Sequence, residues 1–324
     1  MTPISLINKV IFLGTPDFAV PTLLKLSETK YKPVLVITQP DKPQGRKLRL
    51  TPSPVKKAAR SLGIEVLEPE NIKKDEVFEL LRTIDPDVII TAAYGGFLNR
   101  RILNLPTCGC LNLHPSLLPL YRGATPINHA LFNGDEKTGV TIAGMVLKMD
   151  SGPVYKQQVV PVSTDDNYSI LSPKLARLGA EMVIEVLTLL ENDNIEAIPQ
   201  KEEDATYCYK LKKEDLFLNW AEPAQKIHNR VRGLADNPGA VSFFRGNKIK
   251  ILETKLLEER ADLPPGTVSE LKKNEGIVIN CWDDKILLTK VQPAGKRVMT
   301  AFEYSIGARI EKEENFISGD SNRP

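Results

Sequence analysis

Short apolar runs that alternate with helical segments constrain the fold of this chain more than any other feature of its sequence. The first run, Val10–Leu13, is followed by the turn Gly14–Asp17 and by apolar residues at helical spacing from Phe18. Further runs of the same kind are Pro33–Thr38, Gly63–Leu67 and Asp87–Ala93. Strands that alternate with helices predict a parallel sheet with helices on both faces, which is a doubly wound α/β domain. The first turn lacks the glycine pattern of a dinucleotide site.

The second half of the chain has a different pattern. A long amphipathic segment from Tyr168 to Leu190 predicts the helix that ends the first domain, and the polar segment Asn192–Ala205 predicts a linker. Short alternating runs follow, at Ala240–Phe244, Ile249–Leu252, Gly276–Cys281 and Ile286–Val291. Such runs, separated by turns, predict a small β-barrel. We therefore expect domains at residues 1–191 and 206–324, joined by a linker at 192–205.

Composition narrows the class of protein. The chain has 324 residues, enough for two domains, and its net charge of +2 excludes a molecule that is basic throughout. Its four cysteines form no CxxC pair, so we expect neither a metal site nor disulfides, and a reducing compartment. No run approaches the roughly 18 apolar residues that a membrane span requires, and the N-terminus lacks a signal-peptide pattern. We expect a cytoplasmic protein that does not contact a membrane.

Candidate chemistry is concentrated in the segment Cys110–Pro119. Asn112 and His114 are two residues apart on a predicted strand and therefore lie on one face. Histidine exchanges protons near neutral pH, and an asparagine amide donates to a developing oxyanion. The pair suits attack on a carbonyl group. A histidine in the core, bonded to a neighbouring amide, is the alternative that these two residues leave open.

A third candidate is Asp150, which follows the predicted strand Gly139–Lys148. A carboxylate at this place would hold His114 in one tautomer and stabilise its charged form. Asp-Ser-Gly is also common turn chemistry, so an ordinary turn is the competing interpretation.

A basic segment lies between the second and third predicted strands. Its only acidic residue is Asp41, and its basic residues are Lys42, Arg46, Lys47, Arg49, Lys56, Lys57 and Arg60. Either a phosphate-binding arm or a solvated charged loop has this composition. Further basic residues in the second half would extend such an arm or be separate surface charges: Lys210, Lys212, Lys213, Arg230, Arg232, Arg245, Lys248 and Lys250.

The segment Asn112–Pro119 resembles the folate-dependent formyltransferases, and other motifs agree with it in order along nearly the whole chain. These motifs are Gly14–Ala19, Gly45–Lys56, Ala93–Gly95, His114–Ile127 and Gln292–Met299. The basic segment and the C-terminal region resemble the branch of this superfamily that acts on methionyl-tRNA.

The resemblance implies a Rossmann-like formyltransferase domain followed by an OB-like, tRNA-binding domain. It implies a monomeric enzyme of translation initiation that transfers a formyl group from 10-formyltetrahydrofolate to the amino group of initiator methionyl-tRNA, without a metal. The catalytic residues would be Asn112, His114 and Asp150. The implied folate-binding residues are Ser116, Leu117, Leu118, Pro119, Tyr94 and Gly95. The implied tRNA-binding residues are Arg46, Lys47, Arg49 and Lys56.

One part of the chain departs from the family pattern. The superfamily sequence close to M-D-x-G-L-D-T-G is Met145–Gly152 here, with Val146 and Lys148 in place of its first aspartate and first glycine. Rival readings are a sugar-amine N-formyltransferase, the hydrolase-like domain of a formylfolate enzyme, and a tRNA-binding module without catalysis. The basic segment argues against the first two, and the intact catalytic residues argue against the third.

Overall fold

The computed structural model describes residues 6–44 and 49–319. Within them the chain forms two compact units, and each unit contains its own sheet. Unit 1 contains Met1–Pro126, Lys137–Pro161 and Ser172–Cys208, and unit 2 contains Ile127–Glu136, Val162–Leu171 and Tyr209–Pro324. Two short segments that precede Ser172 thus belong to unit 2. The domain boundaries expected at residues 191 and 206 stay a prediction.

The main sheet of unit 1 is largely parallel. The strands of this unit are β1 Val10–Gly14, β2 Leu35–Ile37, β3 Lys42–Gln44, β4 Arg49–Thr51, β5 Val66–Leu67, β6 Val88–Ala92, β7 Cys110–His114, β8 Arg122–Gly123, β9 Lys137–Gly144, β10 Val154–Pro161 and β11 Tyr207–Cys208. The order in the main sheet is β10-β9-β7-β6-β1-β2-β5, and among its described strands only β9 runs opposite to the others, because it pairs in antiparallel fashion with both β7 and β10. Strands β3 and β4 form one small pair, and β8 and β11 form another. The predicted α/β class is confirmed.

Helices connect these strands. They are α1 Val20–Ser27, α2 Pro54–Ser61, α3 Asp75–Ile84, α4 Arg100–Leu103, α5 Pro126–Asn133 and α6 Tyr168–Glu191, and α5 belongs to unit 2 from Ile127 onward. Every residue of β1 and of β6 is buried, which is why these strands are continuous apolar runs in the sequence. The long helix predicted from Tyr168 is confirmed as α6. Within residues 6–44 and 49–319, no helix has the length and apolar character that crossing a membrane requires.

The strand order places two loops side by side at the carboxyl edge of the sheet. Strand β1 has β2 on one side and β6 on the other, so the direction of strand addition reverses there. Open α/β sheets bind their ligands outside the carboxyl ends of strands near such a reversal. The turn Tyr94–Gly96 follows β6, and Pro115–Tyr121 follows β7, which pairs with β6 in parallel. These two loops are neighbours, as the sequence predicted.

Strand β7 presents different chemistry on its two faces. Cys110, Asn112 and His114 share one face because side chains alternate along a strand. Leu113 points to the opposite face, where helix α6 packs closely. A Cβ atom at Gly179 of α6 would lie only 2.6 Å from Cδ1 of Leu113. The absence of a side chain at this position therefore lets the helix approach the strand that carries Asn112 and His114.

Unit 2 is built on an antiparallel sheet, and its C-terminal part adds two helices to α5. Its strands are β12 Ala240–Phe244, β13 Asn247–Arg260, β14 Val268–Lys272, β15 Gly276–Asn280, β16 Asp284–Pro293, β17 Met299–Thr300 and β18 Phe316–Ile317, and its helices are α7 Ala224–Leu234 and α8 Ala301–Ala308. The strand order is β14-β15-β16-β13-β12-β18, with β17 beside β16. Trp220 is buried in the core and donates its indole N–H to Ser242 Oγ at 3.0 Å. The OB-like character of this unit stays a prediction.

Parts of unit 2 were not predicted from the sequence. Strand β14 and helix α8 were not predicted, and β13 and β16 are longer than the apolar runs that indicated them. Helix α8 begins with a capping box, in which the Thr300 hydroxyl accepts from the Glu303 N–H and the Glu303 carboxylate accepts from the Thr300 N–H. This Thr-x-x-Glu pattern was the available signal for a helix start.

One basic residue considered above is not on the surface. Arg232 is buried, and it donates from Nη1 to the carbonyl oxygens of Ser163 at 3.1 Å and Asp166 at 3.2 Å. Its Nε donates to Asn229 Oδ1 at 3.0 Å. Arg232 therefore joins helix α7 to the segment Val162–Leu171 within unit 2, and neither a surface charge nor a phosphate contact describes it.

Two glycines in helices are expected to respond to alanine in opposite ways. Gly179→Ala should lower the free energy of unfolding by about 1–3 kcal/mol, because the new methyl group overpacks against buried Leu113. Gly307→Ala in α8 meets nothing within 4 Å and should raise it by up to about 1 kcal/mol. Urea unfolding followed by circular dichroism measures both changes. A stabilising Gly179→Ala would contradict the close contact between α6 and β7.

Candidate active site

His114 lies at the carboxyl end of β7, and its hydrogen bond to a backbone carbonyl oxygen selects its tautomer. The residue is only 4% exposed, and its Nε2 lies 2.9 Å from the carbonyl oxygen of Tyr121. Because a carbonyl oxygen only accepts, Nε2 carries the hydrogen and Nδ1 holds the lone pair of the neutral ring. The same carbonyl oxygen accepts from the Cys208 thiol at 3.3 Å. Burial raises the pKa of Cys208 to about 11, so this thiol keeps its proton near neutral pH.

Asp150 reaches the face of β7 that carries His114 because strand β9 ends at Gly144, which is earlier than predicted. The expected strand Gly139–Lys148 stops at Gly144, and the chain then leaves the sheet. Gly152 returns so close to the strand that a Cβ on it would lie 1.8 Å from the Gly144 carbonyl oxygen. Between these two glycines, Asp150 adopts a left-handed backbone with φ of 51°. The prediction of a strand through Lys148 was wrong, because this tight return cannot form within an extended strand.

The carboxylate of Asp150 joins the three predicted catalytic residues. Its Oδ1 accepts from Asn112 Nδ2 at 3.1 Å, and its Oδ2 accepts from the Gly123 N–H at 2.9 Å. Oδ2 also lies 3.8 Å from His114 Nδ1, which is within ion-pair distance but longer than a hydrogen bond. The site therefore contains a neutral donor, an imidazole nitrogen with a free lone pair, and a carboxylate beside both.

This arrangement matches a specific type of chemistry. Nδ1 of His114 can accept a proton, and the resulting imidazolium would face a carboxylate that is already held in place. An asparagine amide has two N–H bonds, so Asn112 can donate one to Asp150 and one to an oxygen that gains negative charge. Proton removal from a nucleophile during its addition to a carbonyl group requires these functions.

The six residues predicted to bind folate surround the same edge of the sheet, but several turn their side chains inward. Ser116 is fully buried and donates its hydroxyl to the Leu120 carbonyl oxygen at 2.6 Å. Leu118 and Tyr94 are 5% and 2% exposed, and burial raises the pKa of Tyr94 to about 12. Leu117 and Pro119 are partly buried, whereas Gly95 is exposed. Contacts of the buried residues with a ligand would use the backbone of these loops.

The residues predicted to bind tRNA are only partly described. Arg46 and Lys47 lie outside the described residues, and Arg49 belongs to strand β4. Lys56 is 6% exposed, and its ammonium group contacts Asp41 Oδ2 at 2.7 Å and Glu68 Oε2 at 2.6 Å. Burial opposes the charge of Lys56, but the hydrogen bonds that it donates to these two carboxylates raise its pKa. Lys56 is thus buried in helix α2, whereas a phosphate contact requires an exposed charge.

A group of polar residues that the sequence analysis did not single out supports Asp150. The side chain of Arg122 is fully buried and donates from Nε at 3.1 Å and from Nη2 at 2.9 Å to Gln200 Oε1. Its Nη1 donates to Glu202 Oε2 at 2.8 Å. Gln200 and Glu202 belong to the segment predicted as a linker, where polar composition alone gave no sign of such contacts. Arg122 was visible within a motif, but its burial was not.

Lys148, one of the two departures from the family pattern, takes part in this group. Its ammonium group forms a salt bridge with Glu202, which also binds Arg122. The hydrogen bond from Lys148 is the largest cause that lowers the pKa of Glu202 to about 2, and the hydrogen bond from Arg122 is the next. Val146, the other departure, is 45% exposed. The loop that contains Val146 and Lys148 is therefore joined to the segment Asn192–Ala205 through the salt bridge of Lys148 with Glu202.

Family comparison assigns the two halves of the chain. A model described as formyl transferase matches residues 8–187, and a model described as formyl transferase, C-terminal domain, matches residues 210–309. The first match contains Asn112, His114 and Asp150. Together the two matches define the class of protein as the formyltransferases.

Curated relatives narrow this class. The methionyl-tRNA formyltransferase of Caldanaerobacter subterraneus subsp. tengcongensis is 40% identical over 303 residues, which cover 93% of this chain and 97% of the relative. That of Geobacillus sp. strain WCH70 is 41% identical over 314 residues, which cover 97% and 99%. The chain therefore belongs to the methionyl-tRNA formyltransferase family.

Solved structures with low sequence identity share the fold. WlaRD, a sugar 3N-formyl transferase crystallised in the presence of dTDP and 5-N-formyl-THF, is 18% identical with a TM-score of 0.63, over 90% of this chain and all of that one. HypX from Aquifex aeolicus in complex with tetrahydrofolic acid is 18% identical with a TM-score of 0.61, over 96% of this chain and 49% of that one. At this identity the likeness concerns the fold alone.

Removing Lys148 should change the titration of Glu202. The pKa of Glu202 is lowered, so the contribution of its ion pairs is complete above the ordinary value near 4.5 and is lost as the pH falls through about 2. Lys148→Ala should raise this pKa towards 4.5, as measured by carbon NMR of the glutamate carboxyls. Lys156→Ala, which removes a separate salt bridge with Glu185, is the matched control. An unchanged Glu202 pKa in Lys148→Ala would exclude the pairing.

Proposed function

We propose that this chain transfers the formyl group of 10-formyltetrahydrofolate to the amino group of methionine on initiator methionyl-tRNA, for translation initiation. The observation that carries this proposal is the joining of Asn112, His114 and Asp150 through one carboxylate, in a chain about 40% identical to methionyl-tRNA formyltransferases over nearly its full length. A binding module without catalysis has no need of a buried imidazole beside a carboxylate.

Asn112 is proposed to stabilise the negative charge that develops on the formyl oxygen as the amine adds. Its amide is fixed by the bond to Asp150, so the second N–H has a defined direction before substrate arrives. A donor that is oriented in advance stabilises a transition state without reorganisation at the moment of reaction. Losing such a donor typically costs about 3 kcal/mol of transition-state stabilisation.

His114 is proposed to take the proton that the amine loses, through Nδ1, and to return it to the folate nitrogen as the bond between that nitrogen and the formyl carbon breaks. The hydrogen bond that Nε2 donates to the Tyr121 carbonyl oxygen keeps Nε2 protonated, so Nδ1 is the basic atom. When it is protonated, Nδ1 faces Asp150 Oδ2, and the pair of opposite charges stabilises the imidazolium. Asp150 does not need to leave its two hydrogen bonds to do this.

The folate co-substrate supplies the activated formyl group, and the loops at the carboxyl edge are its proposed site. The proposed contacts are those predicted from the sequence: Ser116, Leu117, Leu118, Pro119, Tyr94 and Gly95. Exposed apolar side chains in two loops support this: Phe97, in the loop after β6, is 67% exposed, and Leu147, in the loop that carries Asp150, is 55% exposed. A flat ring system with polar edges requires this mixture of apolar surface and a few hydrogen-bonding groups.

The basic segment is the proposed contact with the acceptor arm of tRNA, through Arg46, Lys47, Arg49 and Lys56. Because the Lys56 ammonium already binds two carboxylates, its proposed contribution is to fix the base of this segment. We also propose a catalytic domain at residues 1–191, a linker at 192–205 and an OB-like tRNA-binding domain at 206–324. Monomeric action in the cytoplasm, away from membranes, completes the proposal. The free thiols at Cys108, Cys110, Cys208 and Cys281 support a reducing compartment.

The test of this function is formyl transfer with purified protein and three acceptors. Methionyl initiator tRNA should be formylated, whereas uncharged initiator tRNA and methionyl elongator tRNA should not. Transfer to a sugar amine instead of tRNA would move the protein to another branch of the superfamily. Failure to transfer and to bind a folate analogue would overturn the proposal.

Substitutions at the site should separate chemistry from binding. We expect His114→Ala to lower kcat about 10²–10⁴-fold, because proton transfer is lost, and Asn112→Ala to lower it about 10²–10³-fold. The KM for charged tRNA should change little in both. Gln158→Ala, at an exposed position on β10, is the control and should match the unmodified enzyme. Near-normal turnover in either site variant would contradict the assigned role.

Arg46→Ala should act on tRNA affinity. Loss of one phosphate contact should raise the KM for charged tRNA and reduce the slope of log K against log salt by about 1, with kcat nearly unchanged. Lys73→Ala, an exposed lysine outside the basic segment, is the control for overall charge. A change confined to the KM for folate would assign the segment to the other substrate.

A further inference from the structure

The position of Asp150 depends on contacts of its backbone as well as on the hydrogen bonds of its carboxylate. It belongs to a loop in which Val146 and Leu147 are exposed, and its backbone has the left-handed conformation that L-residues adopt at a cost. Such a conformation persists only where the surrounding structure determines it. The contacts that hold the Asp150 backbone are therefore part of the catalytic geometry.

Gln200 makes these contacts. Its Nε2 donates to the carbonyl oxygen of Asp150 at 2.8 Å and to that of Gly152 at 2.7 Å, so one amide group binds both sides of the turn. Gln200 is fifty positions away along the chain, in the segment Asn192–Ala205. The two bonds close the turn from outside the loop and oppose its relaxation to an ordinary backbone conformation.

The orientation of the Gln200 amide is fixed by its other neighbour. Arg122 offers only donors, and the carbonyl groups of Asp150 and Gly152 offer only acceptors. Hence Oε1 must face the guanidinium group and Nε2 must face the turn. The guanidinium group itself is fully buried and is held by Glu202 as well, so it cannot rotate away at little cost.

Arg122 also connects this side-chain contact to the carboxylate of Asp150. The next residue, Gly123, donates its backbone N–H to Asp150 Oδ2 at 2.9 Å. One dipeptide therefore holds Asp150 at two places: Arg122 holds the backbone through Gln200, and Gly123 holds the carboxylate directly. A displacement of either would change the distance between Asp150 and His114.

We propose that Gln200, anchored by Arg122, is a positioning residue that fixes Asp150 for formyl transfer. This inference rests on the proposed function, because Gln200 acts through Asp150 and need not touch either substrate. Loss of the contact should leave both substrates bound but let the carboxylate move. A displacement of about 1 Å at a catalytic group can cost about 10²-fold in rate.

The variants Gln200→Ala and Gln200→Glu test the proposal. Alanine removes all four bonds, whereas glutamate keeps an acceptor for Arg122 and places carboxylate oxygens against two carbonyl oxygens. We expect kcat to fall about 10- to 100-fold in both, with the KM for tRNA and for folate within about twofold. If Gln200 only supplied a hydrogen-bond acceptor to Arg122, glutamate would preserve activity. Gln158→Ala and Gln158→Glu are the matched controls.

A double-mutant cycle with Asp150→Asn distinguishes positioning from general stability. If Gln200 acts through Asp150, then Gln200→Ala should reduce the remaining rate of the Asp150→Asn enzyme by less than about threefold. Equal losses in both backgrounds, or a folded Gln200→Ala enzyme with normal kcat, would overturn the proposal. Thermal unfolding and folate-analogue binding establish folding. If the alanine variant does not fold, the glutamate variant, which keeps the contact with Arg122, decides.

The same measurements separate this proposal from the function on which it rests. Absence of formyl transfer in the unmodified protein would reject the function itself. Normal transfer in the unmodified protein, with Gln200 variants that behave like the Gln158 variants, would reject only the positioning role.

Discussion

The site depends on one carboxylate that is largely withdrawn from water. The side chain of Asp150 is 14% exposed, and a charged group in such a place requires hydrogen-bond donors from the protein. Asn112 and the Gly123 N–H supply them, and His114 lies within ion-pair distance. Strand β7 contributes Asn112 and His114, strand β8 contributes Gly123, and the loop before Gly152 carries Asp150 itself. The placement of β7 and β8 relative to this loop therefore depends on the carboxylate of Asp150.

Three basic residues of this chain are buried and do not lie on its surface. Lys56, Arg122 and Arg232 each carry a charge that sequence reasoning would place in solvent or on a nucleic acid, and each is buried. Their charges are satisfied by carboxylates or by carbonyl oxygens within their own unit. Breaking one partner of such a pair leaves an uncompensated buried charge, which costs more than losing a surface contact. These residues are therefore expected to support geometry before they contact a ligand.

Local periodicity made much of the fold and part of the site predictable. Alternation along β7 placed Asn112 and His114 on one face, and the continuous apolar runs of β1 and β6 indicated strands covered on both sides. The contact of Gln200 with Asp150 could not be predicted in this way, because it joins residues fifty positions apart and follows no repeat. The end of β9 at Gly144 was missed because the apolar pattern continues past it, whereas the close approach of Gly152 is a tertiary effect.

The division of the chain into units affects the order in which contacts can form during synthesis. Asn128 donates to the carbonyl oxygen of Gly233 at 2.8 Å, and the segment Val162–Leu171 binds Arg232 within the same unit. These early segments leave the ribosome about a hundred and about seventy residues, respectively, before their partners in helix α7. Domains generally fold as they emerge, amino-terminal part first. Here, the segments Ile127–Glu136 and Val162–Leu171 cannot form these contacts until helix α7 has been translated.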